Sequence, residues 1–258
     1  LWIIVIVEFL TIIISLIFIN IQYPNLFQKQ PSVIVIDIFG EVISSDYQTN
    51  DNNVIYAQSL VNLLKKYEKD NSIKAIILDI DINGGDILGG SMLAAQIRLM
   101  KKPVVTVVRD NALSGGYYIA ASTKRIFANE LSNIADIGVS RMIEYPTSQG
   151  YKSCYISTSD IKVMYYNNCD SIDSFEYEID KSDLSIQTEM MATEIASFRN
   201  LSKNYVMKYS DGTIFNGNEA LNLNLIDQIG GVQEANDWLE QQLGEKLEIV
   251  YSGQIKKI

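Results

Sequence analysis

Histidine is absent from this 258-residue sequence. A Ser-His-Asp triad and a Cys-His pair both need an imidazole to take the nucleophile's proton, so neither arrangement is open to this chain. Cysteine is scarce as well. Cys154 and Cys169 are the two present, they lack the C-x-x-C spacing of zinc and redox sites, and two thiols without an imidazole make a poor transition-metal site. No metal and no other cofactor is expected. Basic charge is in the minority, with 21 Lys and Arg against 31 Asp and Glu for a formal net charge of −10. That balance argues against nucleic acid as a partner, because tracking phosphates requires a basic surface. What remains is a chain of 47% hydrophobic residues, long enough to bury a sizeable core. An enzyme built on it that uses a nucleophile needs a base other than histidine. Lysine is the obvious one, since an amine desolvated in an apolar pocket loses its charge more readily and accepts a proton from serine.

Residues 1–20 read LWIIVIVEFLTIIISLIFIN, an apolar run broken by Glu8 and a few small polar groups and long enough to cross a bilayer. We expect a single transmembrane helix that anchors the chain to lipid. A cleaved signal peptide is disfavoured, because Asn20-Ile21-Gln22-Tyr23-Pro24 offers no small-residue cleavage site. Glu8, near one end of the helix, reads as snorkelling or facing a partner helix. The sequence opens at Leu1 without a basic flank that would fix orientation. Residues 21–32 are polar, carry Pro24 and Pro31, and read as a linker. Residues 33–258 then form the main domain.

That domain alternates strand and helix signals. Val33 to Ile38 is a β-branched run that resumes from Gly40 to Ile43. Val54 to Tyr67 carries Leu60, Leu63 and Leu64 at helical spacing, and Ile73 to Ile80 is an almost continuous apolar strand of the kind buried on both faces. The alternation continues with a helix over Asp86 to Leu99, a strand over Pro103 to Val108, a helix over Gly115 to Ser122 and a short strand over Arg125 to Ala128. An α/β layered fold follows. Between Glu144 and Ser185 the pattern gives way to Tyr, Asn, Ser and Asp, with short strand-like pieces at Ser153 to Ile156 and Val163 to Tyr166. A long helix from Leu184 to about Tyr209, helices over Asn218 to Leu223 and Val232 to Leu243, and a strand near Leu247 to Tyr251 complete the pattern.

Two strand-to-helix turns hold the chemistry. Ser114 stands between a strand and a helix in Asp110-Asn111-Ala112-Leu113-Ser114-Gly115-Gly116-Tyr117-Tyr118, where unpaired backbone N–H groups favour developing negative charge. The glycines let the chain turn sharply and let a substrate approach. The ordinary alternative is a helix-capping serine with no chemical role. Asp81-Ile82-Asn83-Gly84-Gly85-Asp86 also ends a buried strand and opens a helix. Two such turns on adjacent parallel strands place their amides beside one crevice at the carboxyl ends of the sheet, where they can hold an oxyanion.

These residues resemble a known family. Lys102-Pro103-Val104-Val105, the run SGGYYIAA over Ser114 to Ala121, and Ile137-Gly138-Val139 are similar to the signal peptide peptidase A family of the Clp protease/crotonase superfamily. So are Asp211-Gly212-Thr213-Ile214-Phe215-Asn216-Gly217, Ala220, and Leu225-Ile226-Asp227-Gln228-Ile229-Gly230-Gly231. The matches run in family order over about residues 33–242. The resemblance implies a Clp protease/crotonase-like layered fold of repeated β-β-α units, preceded here by one N-terminal transmembrane helix. It implies Ser114 as nucleophile, with Gly84, Gly85 and Gly115 at the oxyanion hole and substrate-binding turn. That turn usually reads S-P-G-G and here reads Ile82-Asn83-Gly84-Gly85, so the amide donors remain without the proline.

The family also implies a downstream lysine base in a segment like S-G-K-Y-K-D, and here the sequence departs most. One match, Tyr151 to Lys162, places Lys162 at the catalytic lysine, 48 residues beyond Ser114. Val163 then stands where aspartate is usual. The other match, through Cys169-Asp170 and Ser174-Phe175, puts Cys169 there and leaves the serine without its base. Residues 163–181 read as an insertion. The mechanism implied is acyl transfer: neutral Lys162 takes the Ser114 proton, Ser114 attacks a peptide carbonyl, turn amides hold the oxyanion and water releases the acyl group.

The implied enzyme is a single-pass membrane serine endopeptidase with an extracytoplasmic domain, assembled as a homo-oligomer, cutting apolar membrane-derived peptides such as cleaved signal peptides. Cys154 and Cys169, 15 positions apart, are candidates for a disulfide in such a compartment. The rival from another class is a silent membrane-anchored oligomeric scaffold that kept the fold and lost its base. An acyl-CoA enzyme of the crotonase branch shares the fold but makes little use of a serine in SGGYY.

Overall fold

The two continuous apolar runs of the sequence become neighbouring central strands, each burying alternate side chains in opposite directions. A computed structural model describes residues 2–22, 30–44, 53–147, 150–163 and 174–252 of the chain. In order come α1 (Trp2–Gln22), β1 (Ser32–Ile43), β2 (Val54–Tyr56), α2 (Ala57–Lys69), β3 (Ile73–Gly85), α3 (Ile87–Leu99), β4 (Val104–Leu113), α4 (Gly115–Ala121), β5 (Ile126–Ala128) and β6 (Asn133–Ala135). They are followed by β7 (Ser140–Thr147), β8 (Gly150–Ser157), α5 (Asp160–Val163), α6 (Ser174–Arg199), α7 (Lys203–Met207), β9 (Ile214–Phe215), α8 (Gly217–Asn222), β10 (Gln228–Ile229), α9 (Val232–Leu243) and β11 (Glu248–Tyr251). The main sheet runs β10-β5-β4-β3-β1-β11, with β2 beside β1 and β6 joining β4 to β9. Its pairings are parallel except for β6 with β9. β7 and β8 form a separate antiparallel hairpin.

One face of the sheet packs Ile34, Ile36, Ile76, Leu78 and Ile80 against α2, α3, α4 and α6. The other packs Val33, Val35, Ala75, Ile77 and Val107 against Ala235 and Leu239 of α9. This two-sided burial explains why the strands read as nearly continuous apolar runs, interrupted at Asp37, Lys74 and Asp79, instead of alternating regularly with polar residues. Each fully buried Ile or Leu contributes about 2 kcal/mol, so the sheet interior is the rigid frame of the molecule.

Helix α4 is buried along its whole length, which explains its make-up of glycine, alanine, isoleucine and tyrosine. It lies so close to β3 that a Cβ on Gly116 would fall 2.8 Å from Ile82 Cβ and from Ile82 O. Its far side is tied down by the Tyr117 hydroxyl, which donates to Leu225 O at 2.9 Å. Nearby, the buried Arg199 guanidinium reaches both oxygens of Asp227 at 2.8 and 2.9 Å, and Asp227 also accepts from the Ile126 N–H. Asp227→Ala leaves Arg199 buried without its carboxylate, and we expect a loss of about 3 kcal/mol, read as a lower urea midpoint with an unchanged slope.

Several elements differ in extent from the sequence reading. Val54–Tyr56, expected to open a helix, pair with Glu41 to Ile43 of β1, and α2 starts at Ala57. The long helix expected from Leu184 begins earlier, at Ser174, and stops at Arg199, where Asn200 takes φ 54°, a left-handed position that ends helices. Residues 174–181, the last part of the expected insertion, form the start of α6. The β7–β8 hairpin was hidden because residues 150–153 are exposed and burial begins only at Cys154, so no regular alternation marks it. Val163 closes α5 instead of opening a strand.

Helix α1 is continuous over 21 residues, with its side chains described only in part; among the described residues no helix is long and apolar enough to cross a membrane. Residues 23–29 of the expected linker, and Cys169, lie outside the described residues.

Candidate active site

Strand β4 ends at Leu113 and α4 begins at Gly115, so the chain must reverse direction at Ser114. It does so with φ 52° and ψ −116°, a conformation costing a residue with a Cβ about 1–3 kcal/mol and held only where the surroundings impose it. Two hydrogen bonds impose it: the Ser114 N–H donates to Ala135 O at 2.8 Å, and the Tyr118 N–H donates to Ser114 O at 3.0 Å. The Ser114 hydroxyl does not cap α4. A capping role is thus not what puts serine here, and its half-buried side chain is left facing a cleft of about 350 Å³.

The turn at the end of β3 lies against it. Gly84 and Gly85 adopt φ 155° and 150°, and a Cβ on Gly85 would strike Val42 O at 2.1 Å, so no other residue fits there. A Cβ on Gly84 would lie 3.9 Å from Ser114 Cβ, and one on Gly115 would lie 3.5 Å from Gly85 N. Ser114 and the three expected glycines are therefore brought together. Asp86 pins the turn by capping α3 through the Gly89 N–H while accepting from the Ser44 N–H and hydroxyl at 2.7 and 2.9 Å. Across the cleft, α6 supplies a wall of Leu184, Met190 and Met191 interspersed with Gln187 and Glu194. At the rim, Arg141 of β7 bonds Asp180 and Asp183 of α6 at 2.6 and 2.5 Å.

Lys162 sits on α5 with a side chain only 7% exposed. Its Nζ donates to Asp136 Oδ2 at 2.5 Å and to Asp136 O at 2.8 Å. Burial pulls the amine below the ordinary lysine range, and the Asp136 charge and hydrogen bond oppose that pull. Asp136 is in turn raised above the usual carboxylate range by burial, with Lys162 holding it back. Among the described residues no hydrogen bond joins Lys162 to Ser114. Their link is one residue long: Ala135, whose carbonyl holds Ser114, precedes Asp136, which holds Lys162. Gly138 lines the cleft, and a Cβ there would lie 3.9 Å from Lys162 Cδ.

The loop of the Asp211–Gly217 motif closes over this segment. The Asp136 N–H donates to Thr213 O at 3.1 Å, and the Gly212 N–H donates to Ile137 O at 3.0 Å. Gly212, at φ 85°, leaves room for the Lys162 backbone: a Cβ there would fall 2.7 Å from Lys162 Cα. Among the described residues no cluster of three or more carboxylates and cysteines is placed to hold a metal. Cys154 is buried and disulfide-bonded; Cys169, the competing match for the base, lies outside the described residues.

A model of peptidase family S49 matches residues 96–246, the stretch that carries Ser114, Asp136, Lys162 and Gly212. The chain belongs to peptidase family S49. It is 29% identical over 197 residues to a protein of Enterococcus faecium named as a signal peptide peptidase SppA, covering 72% of this chain and 56% of that one. It is 30% identical over 226 residues to a protein of Methanocaldococcus jannaschii named as a protease, covering 80% and 72% respectively. Protease 4 of Haemophilus influenzae is 23% identical over 221 residues, which cover 83% of this chain and 35% of that one. The chain thus spans a little over half of the first of these relatives and about a third of the last. Within this S49 chain, sequence reasoning missed Asp136 and the purpose of Gly212. Both lie in or beside motifs already singled out, Ile137-Gly138-Val139 and Asp211 to Gly217, yet nothing in either motif says that one faces the other.

Proposed function

We propose that the chain is a membrane-anchored serine endopeptidase in which Ser114 is the nucleophile and Lys162 its base. The observation that carries this reading is a strained serine, free of any capping role, at an apolar cleft whose neighbouring segment grips a buried lysine. In the reaction, neutral Lys162 accepts the proton of the Ser114 hydroxyl as Oγ attacks the substrate carbonyl. Amides of the Gly84–Gly85 turn and of Gly115 receive the oxyanion, and Lys162 returns the proton to the departing amine. Water, deprotonated in the same way, then releases the acyl group. The position of Lys162 and Ser114 on either side of the Ala135–Asp136 peptide supports a dyad completed within one chain.

Leu184, Met190 and Met191 along the cleft suit peptides with apolar side chains, such as segments released from a membrane and, among them, cleaved signal peptides. Anchoring through α1 is supported by the exposure of Val5, Ile6, Phe9, Leu10, Ile14 and Phe18, each more than half exposed. Side chains of this kind are stable when they face lipid. An extracytoplasmic domain is supported by the disulfide at Cys154, since such bonds persist in oxidising compartments. Self-association into a homo-oligomer is part of the proposal on family resemblance alone.

The test is labelling of the purified protein with a fluorophosphonate probe. Wild type is expected to label and Ser114→Ala is not. The sign with pH follows from Lys162: the amine is inactive while protonated, so the labelling rate rises as pH climbs through its lowered pKa and levels off above it. The second reading, a silent scaffold, is favoured by the absence of a hydrogen bond between Lys162 and Ser114. It predicts a folded protein that does not label at any pH.

A further inference from the structure

Asp136 is a largely buried carboxylate that the reaction above leaves without a role. It occupies an unusual place. Ala135 and Asp136 are consecutive non-glycine residues with positive φ, 87° and 49°, which together cost about 2–6 kcal/mol unless the surroundings hold them. Three backbone hydrogen bonds hold this segment, Ser114 N–H to Ala135 O, Asp136 N–H to Thr213 O and Gly212 N–H to Ile137 O, beside the β6–β9 pairing that sets Ala135 opposite Ile214. The result of this strain is that one dipeptide presents a carbonyl to the backbone of Ser114 and two oxygens to the amine of Lys162.

We propose that Asp136 is a positioning residue for Lys162, gripping its amine through both the carboxylate and the main-chain carbonyl and so setting its direction and the pH at which it is free to act. The proposal rests on the reading of Lys162 as the base. The geometry works as follows. A neutral amine has two N–H groups and one lone pair. With the two N–H groups donated to Asp136 Oδ2 and O, the lone pair has only the remaining tetrahedral direction, away from Asp136 and available to a hydroxyl proton. In the protonated state that direction carries the third N–H, and the same carboxylate stabilises the charge. The proton lost on activation goes to solvent, and the one gained in the reaction comes from Ser114 Oγ.

Among the described residues, Asp136 is the charge that acts on Lys162 and Lys162 the charge that acts on Asp136. Asp211, the acidic residue on the facing loop, is taken up by the Thr213 N–H and hydroxyl at 2.9 and 2.6 Å. Burial and the carboxylate thus pull Lys162 in opposite directions, and removing the carboxylate leaves burial unopposed.

The experiment measures fluorophosphonate labelling rate against pH for wild type, Asp136→Asn, Asp136→Ser and Lys162→Ala, with thermal midpoints to establish folding. Asparagine tolerates positive φ and keeps an acceptor while removing the charge. Its rising limb is expected to move about 1–3 units toward acid, with the plateau rate retained. Serine removes the charge and shortens the reach, so its limb moves the same way while the plateau falls about 10–100-fold. A limb that stays in place in either folded variant overturns the proposal.

Lys162→Ala separates the two levels of the argument. If it labels like wild type, the dyad itself is wrong and the role of Asp136 falls with it; if it does not label and the asparagine limb is unmoved, only the Asp136 inference fails. Carbon-13 at lysine Cε in wild type reads the pair without any substitution of Asp136. The Lys162 resonance, assigned by its loss in Lys162→Ala, is expected to titrate apart from the other lysines and to show a second, acid-range step as Asp136 takes its proton. Absence of that step overturns the proposal.

Discussion

Lys162→Ala is expected to slow acylation of Ser114 by about 10³–10⁴-fold, the usual effect of removing a general base that acts directly on the nucleophile. The measurement is the second-order rate of fluorophosphonate labelling, followed at a pH on the wild-type plateau so that protonation does not contribute. The change leaves Asp136 without its partner. Burial already raises this carboxyl above the usual range and loss of the amine raises it further, so the fold is expected to survive with a reduced thermal midpoint. Lys162→Arg is expected to be as inactive as the alanine variant while restoring most of the lost stability. Its guanidinium preserves the ion pair but does not deprotonate in proteins. This pair of variants separates charge pairing from proton transfer. Labelling that survives in both would move the base to another residue.

Gly212→Ala is expected to have the second-largest effect, although Gly212 touches no substrate. The added methyl carbon would lie 2.7, 2.8 and 2.9 Å from Cα, Cβ and N of Lys162. These are atoms at the root of the side chain, so no flexible end can swing away. The residue is also held at φ 85°, where an L side chain costs about 1–2 kcal/mol. Relief requires movement either of the Asp211–Gly217 loop, which hydrogen-bonds the segment that grips the lysine amine, or of α5, which carries the lysine. We expect a stability loss of about 2–4 kcal/mol and a labelling rate down about 100-fold in the protein that remains folded. Gly244→Ala is the matched control. Gly244 ends α9 at φ 72° with nothing within 4 Å of an added Cβ, so backbone strain alone applies; stability falls by about 1 kcal/mol and the labelling rate stays at the wild-type level. Equal labelling in the two glycine variants would mean that Gly212 serves the fold and not Lys162.

Much of the frame was legible because burial leaves a periodic trace. The runs Val33 to Ile38 and Ile73 to Ile80 are apolar except at Asp37, Lys74 and Asp79 because both sheet faces are covered, and that pattern points to a parallel sheet between helices. The small residues of Gly115 to Ala121 likewise foretell a helix pressed into the core. Legibility failed where burial is partial or one-sided. The β7–β8 hairpin exposes most of its second strand, and the start of α6 lies in a polar stretch where helical spacing has no apolar face to mark it.

From the sequence alone it follows that this chain has no imidazole to offer, that Ser114 stands at a strand-to-helix turn beside a second glycine turn, and that the sheet supporting both is parallel and buried. These are local matters of composition, periodicity and turn chemistry, each written within a few consecutive residues. Only the tertiary structure decides that Lys162 meets Asp136, that Ala135 holds Ser114, and that Gly212 makes room for Lys162. Those contacts join segments separated by 26, 21 and 50 positions along the chain. Each segment is a loop, the end of a short strand or a single helical turn whose residues carry no periodic signal of what they face. A charged pair buried in such a place is recognisable only once folding has put the two loops against each other.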